Sequence, residues 1–292
     1  MARSVRSVAL VPATALFLVL HLTLPGRAAA IERIVVVASL PPLAGIAERV
    51  GGDRVTVETL LPPGASEESY SPSPRQVARL EAARIVVRIA HPALLLEQRV
   101  LGPFLATHPQ VAVVDLAAGA ELLPAGDAPA GASDPHLWLS PSILGAAAER
   151  LASVLATVDP AGAAVYAANR AALERELAAL TRELQGTLAA LPARTFLAYH
   201  PSYGYFAHAF GLRQLAVEAE GKEPGLADLV RLAERARQER VTVILTPPGP
   251  LERGAHAVAE TVGARVEVVD PLGRDPLATL RQLGRALLPV AR

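Results

Sequence analysis

Beyond residue 30 the chain repeats one grammar. A short, continuously apolar run rich in Val, Ile and Leu is followed by a segment whose apolar residues recur at helical spacing. Residues 34–38, 55–61, 84–90 and 111–115 predict four strands in the first half. Residues 195–199, 214–218, 241–245 and 266–269 predict four more in the second. Helical patterns fall between them, at 44–50, 76–83 and 93–106, and again at 226–238, 252–261 and 277–288. Strands apolar along their whole length and separated by helices need a parallel sheet covered on both faces. The predicted fold class is therefore α/β, with two lobes, each a mainly parallel sheet flanked by helices.

Between the halves, residues 141–191 are helical in pattern, with a break at Asp159-Pro160. Asp159 is placed to cap the second segment, with Pro160 at its first position. Residues 161–190 hold no proline and only two glycines, Gly162 and Gly186, and carry charge pairs at helical spacing such as Arg170 with Glu174. About 30 helical residues span roughly 45 Å, longer than one small lobe. One rigid helix is thus expected to join the lobes. The expected division is 1–30 as an export signal, 31–157 as the first lobe, 158–192 as the linking helix and 193–292 as the second lobe.

The signal reading rests on Arg3 and Arg6, an apolar run over 8–20 and the small residues Ala28-Ala29-Ala30. The run is short for a membrane span; an uncleaved anchor is the alternative. Cleavage near Ala30 leaves 25 basic and 28 acidic residues, a net of −3, which suits a soluble periplasmic protein. The chain contains no cysteine. Thiolate metal sites, thiol catalysis, disulfides and a lipid-anchored cysteine are excluded with it. Aromatic residues make up 4% and the formal net charge of the whole chain is +0, which argues against nucleic acid as a partner.

Ligands of open α/β sheets bind beyond the carboxyl ends of the strands, and two facing lobes would make a cleft there. His200 directly follows one predicted strand and Asp270 another. His136 lies in Asp134-Pro135-His136-Leu137-Trp138, after the fourth strand and an Ala/Gly/Pro-rich loop over 117–133. Glu68 lies in the turn-rich run after the second strand, with Glu67 as a neighbouring alternate. Two histidines and two carboxylates can close a four-ligand site for a divalent metal. Each has a plainer role open to it. His200 and Asp270, both before proline, could cap turns; His136 could hydrogen-bond within its loop; Glu68 could be a solvated acid. His91 also follows a strand and reads as a structural group or a substitute ligand. His208 reads as packing or surface, His108 and His256 as solvent-facing, and Trp138 as packing beside the His136 loop.

Five stretches together resemble the metal-binding receptor family of zinc and manganese ABC importers, from about residue 34 to the C-terminus. They are Val37-Ala38-Ser39-Leu40-Pro41-Pro42-Leu43, Pro62-Pro63-Gly64 through Tyr70-Ser71-Pro72-Ser73-Pro74, and Asp134 through Pro141. His200 with Gly204-Tyr205-Phe206 and Phe210-Gly211-Leu212, and Asp270-Pro271-Leu272-Gly273, complete the set. The resemblance implies two lobes joined by one long helix and maps the family's ligands onto His136, His200 and Asp270. The family's first-loop histidine is replaced here by Glu68, a harder ligand. The histidine-rich loop of many zinc members is missing between 117 and 133.

The function so implied is that of an extracytoplasmic solute-binding protein, not an enzyme. It would capture a divalent transition metal, zinc before manganese or iron, and deliver it to the permease of an ABC importer, acting as a monomer. The expected metal ligands are Glu68, His136, His200 and Asp270. The alternatives are an exported metallohydrolase, for which no zinc-protease helix motif or nucleophile elbow is present, and a receptor for an organic ligand or an adhesin-like relative whose metal site is structural or lost.

Overall fold

The computed structural model describes residues 33–125, 131–218 and 225–289. The expected export signal, 1–30, lies outside the described residues. Eight strands form, one at each predicted run: β1 (Ile34–Ala38), β2 (Val55–Thr59), β3 (Ile85–Arg88), β4 (Ala112–Asp115), β5 (Thr195–Ala198), β6 (Arg213–Ala216), β7 (Val243–Thr246) and β8 (Arg265–Val268). They make two four-stranded sheets, ordered β2-β1-β3-β4 and β6-β5-β7-β8, and every pairing is parallel. The two sheets thus share one topology. In both, the carboxyl ends of the strands lead into the loops that carry the candidate ligands.

Nine helices are described: α1 (Pro41–Gly51), α2 (Pro74–Ala78), α3 (Gly102–Thr107), α4 (Pro141–Val158), α5 (Ala163–Ala189), α6 (Gly204–Ala209), α7 (Leu226–Gln238), α8 (Leu251–Val262) and α9 (Pro276–Leu287). Two differ from expectation. The helix expected over 76–83 is α2 followed by a 3-10 turn, Arg79–Ala82. The helix expected over 93–106 instead opens with a π-turn, Glu97–Leu101, before α3. Pro103 offers no N–H to an i−4 carbonyl, and the N–H of Gly102 reaches back five residues to the Glu97 carbonyl. The Glu97 carboxylate accepts the N–H groups of Ile89 and Ala90, at 2.7 and 2.8 Å. It thereby caps the exit of β3, where Ala90 takes a positive φ of 63°.

The long helix is α5, 27 residues, about 40 Å at 1.5 Å per residue. Its buried stripe, Tyr166, Leu173, Leu177, Leu180, Leu184 and Leu188, recurs every three to four residues along most of its length, as one helix face requires. The helix packs against α1 and α4 of the first lobe and α9 of the second. At Gly284 of α9 a Cβ would overlap Leu184, so the two helices approach closely there. Arg170 and Glu174 form the expected pair, at 2.6 Å. Asp159 does not make the expected cap: no side-chain bond closes the turn after it. Its carboxylate instead accepts Arg54 Nε and the Tyr166 hydroxyl, both at 2.6 Å. A charged guanidinium is the stronger partner.

One continuous apolar core runs from the first sheet through α4 and α5 to Phe196, Tyr203, Leu245 and Leu280 in the second lobe. A second, smaller cluster covers the other face of the second sheet. A clasp adds to this junction. The loop between β8 and α9 reaches α1, where Arg274 holds Glu48 (2.6 and 3.1 Å) and the Thr59 hydroxyl (2.9 Å). The Trp138 indole N–H donates to the Pro271 carbonyl at 2.7 Å. Gly45 of α1 lies so close to the Arg274 carbonyl that a Cβ would overlap it. Among the described residues no helix is long and apolar enough to cross a membrane.

Candidate metal centre

The carboxyl ends of the strands converge on one acidic and two imidazole side chains. Glu67, His136 and His200 each offer a ligand atom, and these atoms all lie within 4.8 Å of one another. Glu67 sits in the Pro-Gly turn after β2, His136 in the loop entering α4, and His200 two residues past β5. Donors bound at 2.0–2.2 Å to one tetrahedral ion stand about 3.3 Å apart. A modest inward movement of three side chains would therefore close them on a cation.

His136 is the most constrained of the three. Its backbone N–H and its Nδ1–H both donate to Asp134 Oδ1, at 2.8 and 2.7 Å. Gly204, at the start of α6, makes room for that carboxylate: a Cβ there would overlap Asp134 Oδ2. With Nδ1 occupied, Nε2 points to Glu67 Oε1 across 3.5 Å, too long for a good hydrogen bond. Nε2 is thus a buried polar atom with no hydrogen-bond partner, aimed at the cluster. Such an atom is costly unless something binds it. The Trp138 ring lies 5.2 Å from the imidazole, so Trp138 packs beside this loop as its position suggests.

The electrostatics follow from the burial. Burial works against the charged form of His136, but Asp134 and Glu67 outweigh it and push the imidazole up to about 10. Burial also works against the Glu67 carboxylate, and the neighbouring His136 outweighs it and holds Glu67 below the usual range. Each of the two groups thus favours the charged form of the other across the 3.5 Å gap.

His200 donates Nδ1–H to Glu218 Oε1 at 2.7 Å, and its ring stands edge-on to that of His136, centroids 5.6 Å apart. Glu68 Oε1 is 3.6 Å from His200 Nε2, but the Glu68 side chain is 52% exposed against 9% for Glu67. Of the four residues singled out in the sequence, His136 and His200 enter the three-residue cluster. Its acid is Glu67, the neighbouring alternate, and Glu68 stands at the rim. Adjacent residues in a turn point to different sides, and only the fold shows which faces inward. Asp270 is also exposed; its Oδ1 accepts the Leu272 N–H at 2.8 Å. It is near enough, with Glu67, to add to burial in pushing the Tyr203 phenol up.

Among the described residues, no other histidine joins this cluster. His91 is buried, its Nε2 2.7 Å from Ser133 Oγ and its Nδ1 accepting the Ala93 N–H, and burial pushes it down. His108, read as solvent-facing, is half-buried, stacked on Phe104 and 3.1 Å from Glu81. Asp134 and Glu218 escaped sequence reasoning. Asp134, two residues before His136, was visible as part of a motif; Glu218 becomes meaningful only through the β5–β6 register.

Comparison with known proteins gives a consistent result. A family model described as zinc-uptake complex component A, periplasmic (ZnuA), matches residues 36–282. A crystal structure of ZnuA is similar at 33% identity, covering 88% of this chain and 100% of that one, with a TM-score of 0.80. The high-affinity zinc uptake system protein ZnuA of Yersinia pestis is 26% identical over 82% of this chain and 83% of its own. The iron-binding protein YfeA of the same organism is 26% identical over 80% of this chain and 76% of its own.

Proposed function

The chain belongs to the family of the periplasmic zinc-uptake complex component A, and on that premise we propose that it is an exported receptor for one divalent transition-metal ion. It takes the ion between its two lobes and passes it to the membrane permease of an ABC importer. The observation that carries this reading is the trio Glu67, His136 and His200, the first two buried and the third half-buried, with His136 Nε2 left without a partner. Two neutral imidazoles and one carboxylate suit zinc, and with further carboxylates also manganese or ferrous iron. Zinc is the first choice, because it binds such sites more tightly than those two.

The fourth position falls to the rim. Glu68 is 3.6 Å from His200 Nε2, and Asp270 lies on the loop clasped against α1. Either carboxylate can swing onto an ion held by the trio. A closed ligand set of this kind leaves no activated water, which favours binding and release over hydrolysis. Solvent-exposed outer acids also give the ion a route out. The receptor is proposed to act after removal of residues 1–30, as a soluble periplasmic monomer with no catalytic role.

Competitive zinc titration of the metal-stripped mature protein tests this. Tight one-to-one binding is expected. Glu67→Gln and His136→Ala should each abolish it, and Glu68→Gln should weaken it less than Glu67→Gln. A wild type that binds none of zinc, manganese and iron would refute the reading. A Glu68→Gln loss as large as that of Glu67→Gln would return Glu68 to the inner position.

A further inference from the structure

Both imidazoles of the trio have a carboxylate behind them, and these come from different parts of the fold. Asp134 serves His136 from within the same loop. Glu218 serves His200 from another strand. β5 and β6 pair in parallel with Ala198 opposite Ala216; two residues further along each chain, His200 stands opposite Glu218. The Glu218 N–H donates to the Tyr199 carbonyl at 3.1 Å, which carries the ladder to that point. The Glu218 side chain is 8% exposed, and its Oε1 accepts His200 Nδ1–H at 2.7 Å. A buried carboxylate is costly unless it is paired, and this pairing aims at a group of the site.

We propose that Glu218 is the positioning residue of the second lobe's ligand: by holding His200 Nδ1–H it leaves Nε2 as the metal-binding atom and fixes the plane of the ring. The inference rests on the reading of the trio as a metal site. A carboxylate behind a ligating imidazole selects its tautomer, orients it and makes it a better donor. Here it also makes the ligand depend on the edge of the second sheet, since β6 is the end strand of its order.

The test uses the metal-stripped mature protein, zinc alone as the probe, and the set wild type, Glu218→Gln, Glu218→Ala, His200→Ala and the double variant His200→Ala/Glu218→Ala. Glu218→Ala should weaken zinc binding by about 10–100-fold. Glu218→Gln should lose less, because its amide oxygen still accepts Nδ1–H without supplying charge. In the His200→Ala background, Glu218→Ala should change nothing further. Imidazole nitrogen correlations on metal-free protein give a second readout. Neutral His200 should carry its proton on Nδ1 in wild type and Glu218→Gln, and on both nitrogens in exchange in Glu218→Ala. Wild-type affinity in Glu218→Ala, or an equal loss in the His200→Ala background, would overturn the proposal while leaving the metal site standing. A wild type that binds no zinc would overturn both.

Discussion

Zinc binding at pH 8 is expected to release one proton from His136. The imidazole is pushed up from 6.5 to about 10 by Asp134 and Glu67 against the cost of burial. At pH 8 it is then mostly protonated, whereas an ordinary histidine is mostly neutral. A zinc ion needs the bare Nε2, so it must displace that proton. Two pH units of competition cost about 3 kcal/mol of apparent binding energy at pH 8, at 1.36 kcal/mol per unit. Apparent affinity should therefore rise about tenfold per pH unit through neutrality and up to near pH 10, from His136 alone. The assay is titration calorimetry at pH 8 in buffers of different protonation enthalpy; the dependence of the observed heat on the buffer counts protons. Wild type should release close to one. The same pairing acts on folding. A pKa raised by folding contributes stability that is present in full below the unfolded value near 6.5 and is lost as pH rises through about 10. The metal-free protein should lose melting temperature across that window. Tight zinc binding at pH 8 with no proton released would refute that pairing.

Other consequences follow from the junction between lobes. Gly45→Ala places a methyl group against the Arg274 carbonyl and should cost about 1–3 kcal/mol in chemical denaturation, as overpacking does. Arg274→Ala removes a half-exposed pair with Glu48, so global stability should change by no more than about 1 kcal/mol, while amide exchange over 271–275 quickens. Leu177→Ala, in the buried stripe of α5, should cost about 2–5 kcal/mol; a loss confined to one lobe, seen as two separate unfolding transitions, would show that the continuous core does not couple them. With that core and the clasp intact, scattering curves of metal-free and zinc-loaded protein should be nearly superimposable, and a wide domain rotation would contradict the rigid junction.

The fold was legible because its signals are local. The inner strands β1, β3, β5 and β7 are mainly apolar runs buried along most of their length, which are satisfied only when both faces are covered, and Asp159-Pro160 marks the helix break in any context. Helix detail was less so: the π-turn at Glu97–Leu101 depends on Pro103 and on a carboxylate reaching the exit of β3, and propensity carries no record of such a reach. The site divides in the same way. His136 and His200 follow strands in sequence, and strand ends in open sheets face the cleft, so their convergence could be argued from the chain alone. The choice between Glu67 and Glu68 could not. Both acids occupy one turn, and which is buried against His136 and which is left in solvent is set by how that turn packs on the His136 loop. Glu218 shows the limit most clearly. It lies 18 residues from His200 along the chain, and only the parallel register of β5 and β6 places its carboxylate behind the imidazole. The order of apolar and polar residues determined which elements form and which ends carry chemistry; the register of the strands and the packing of the loops beyond them decided which side chains share a proton, because burial and distance, not sequence spacing, set the energy of a charge.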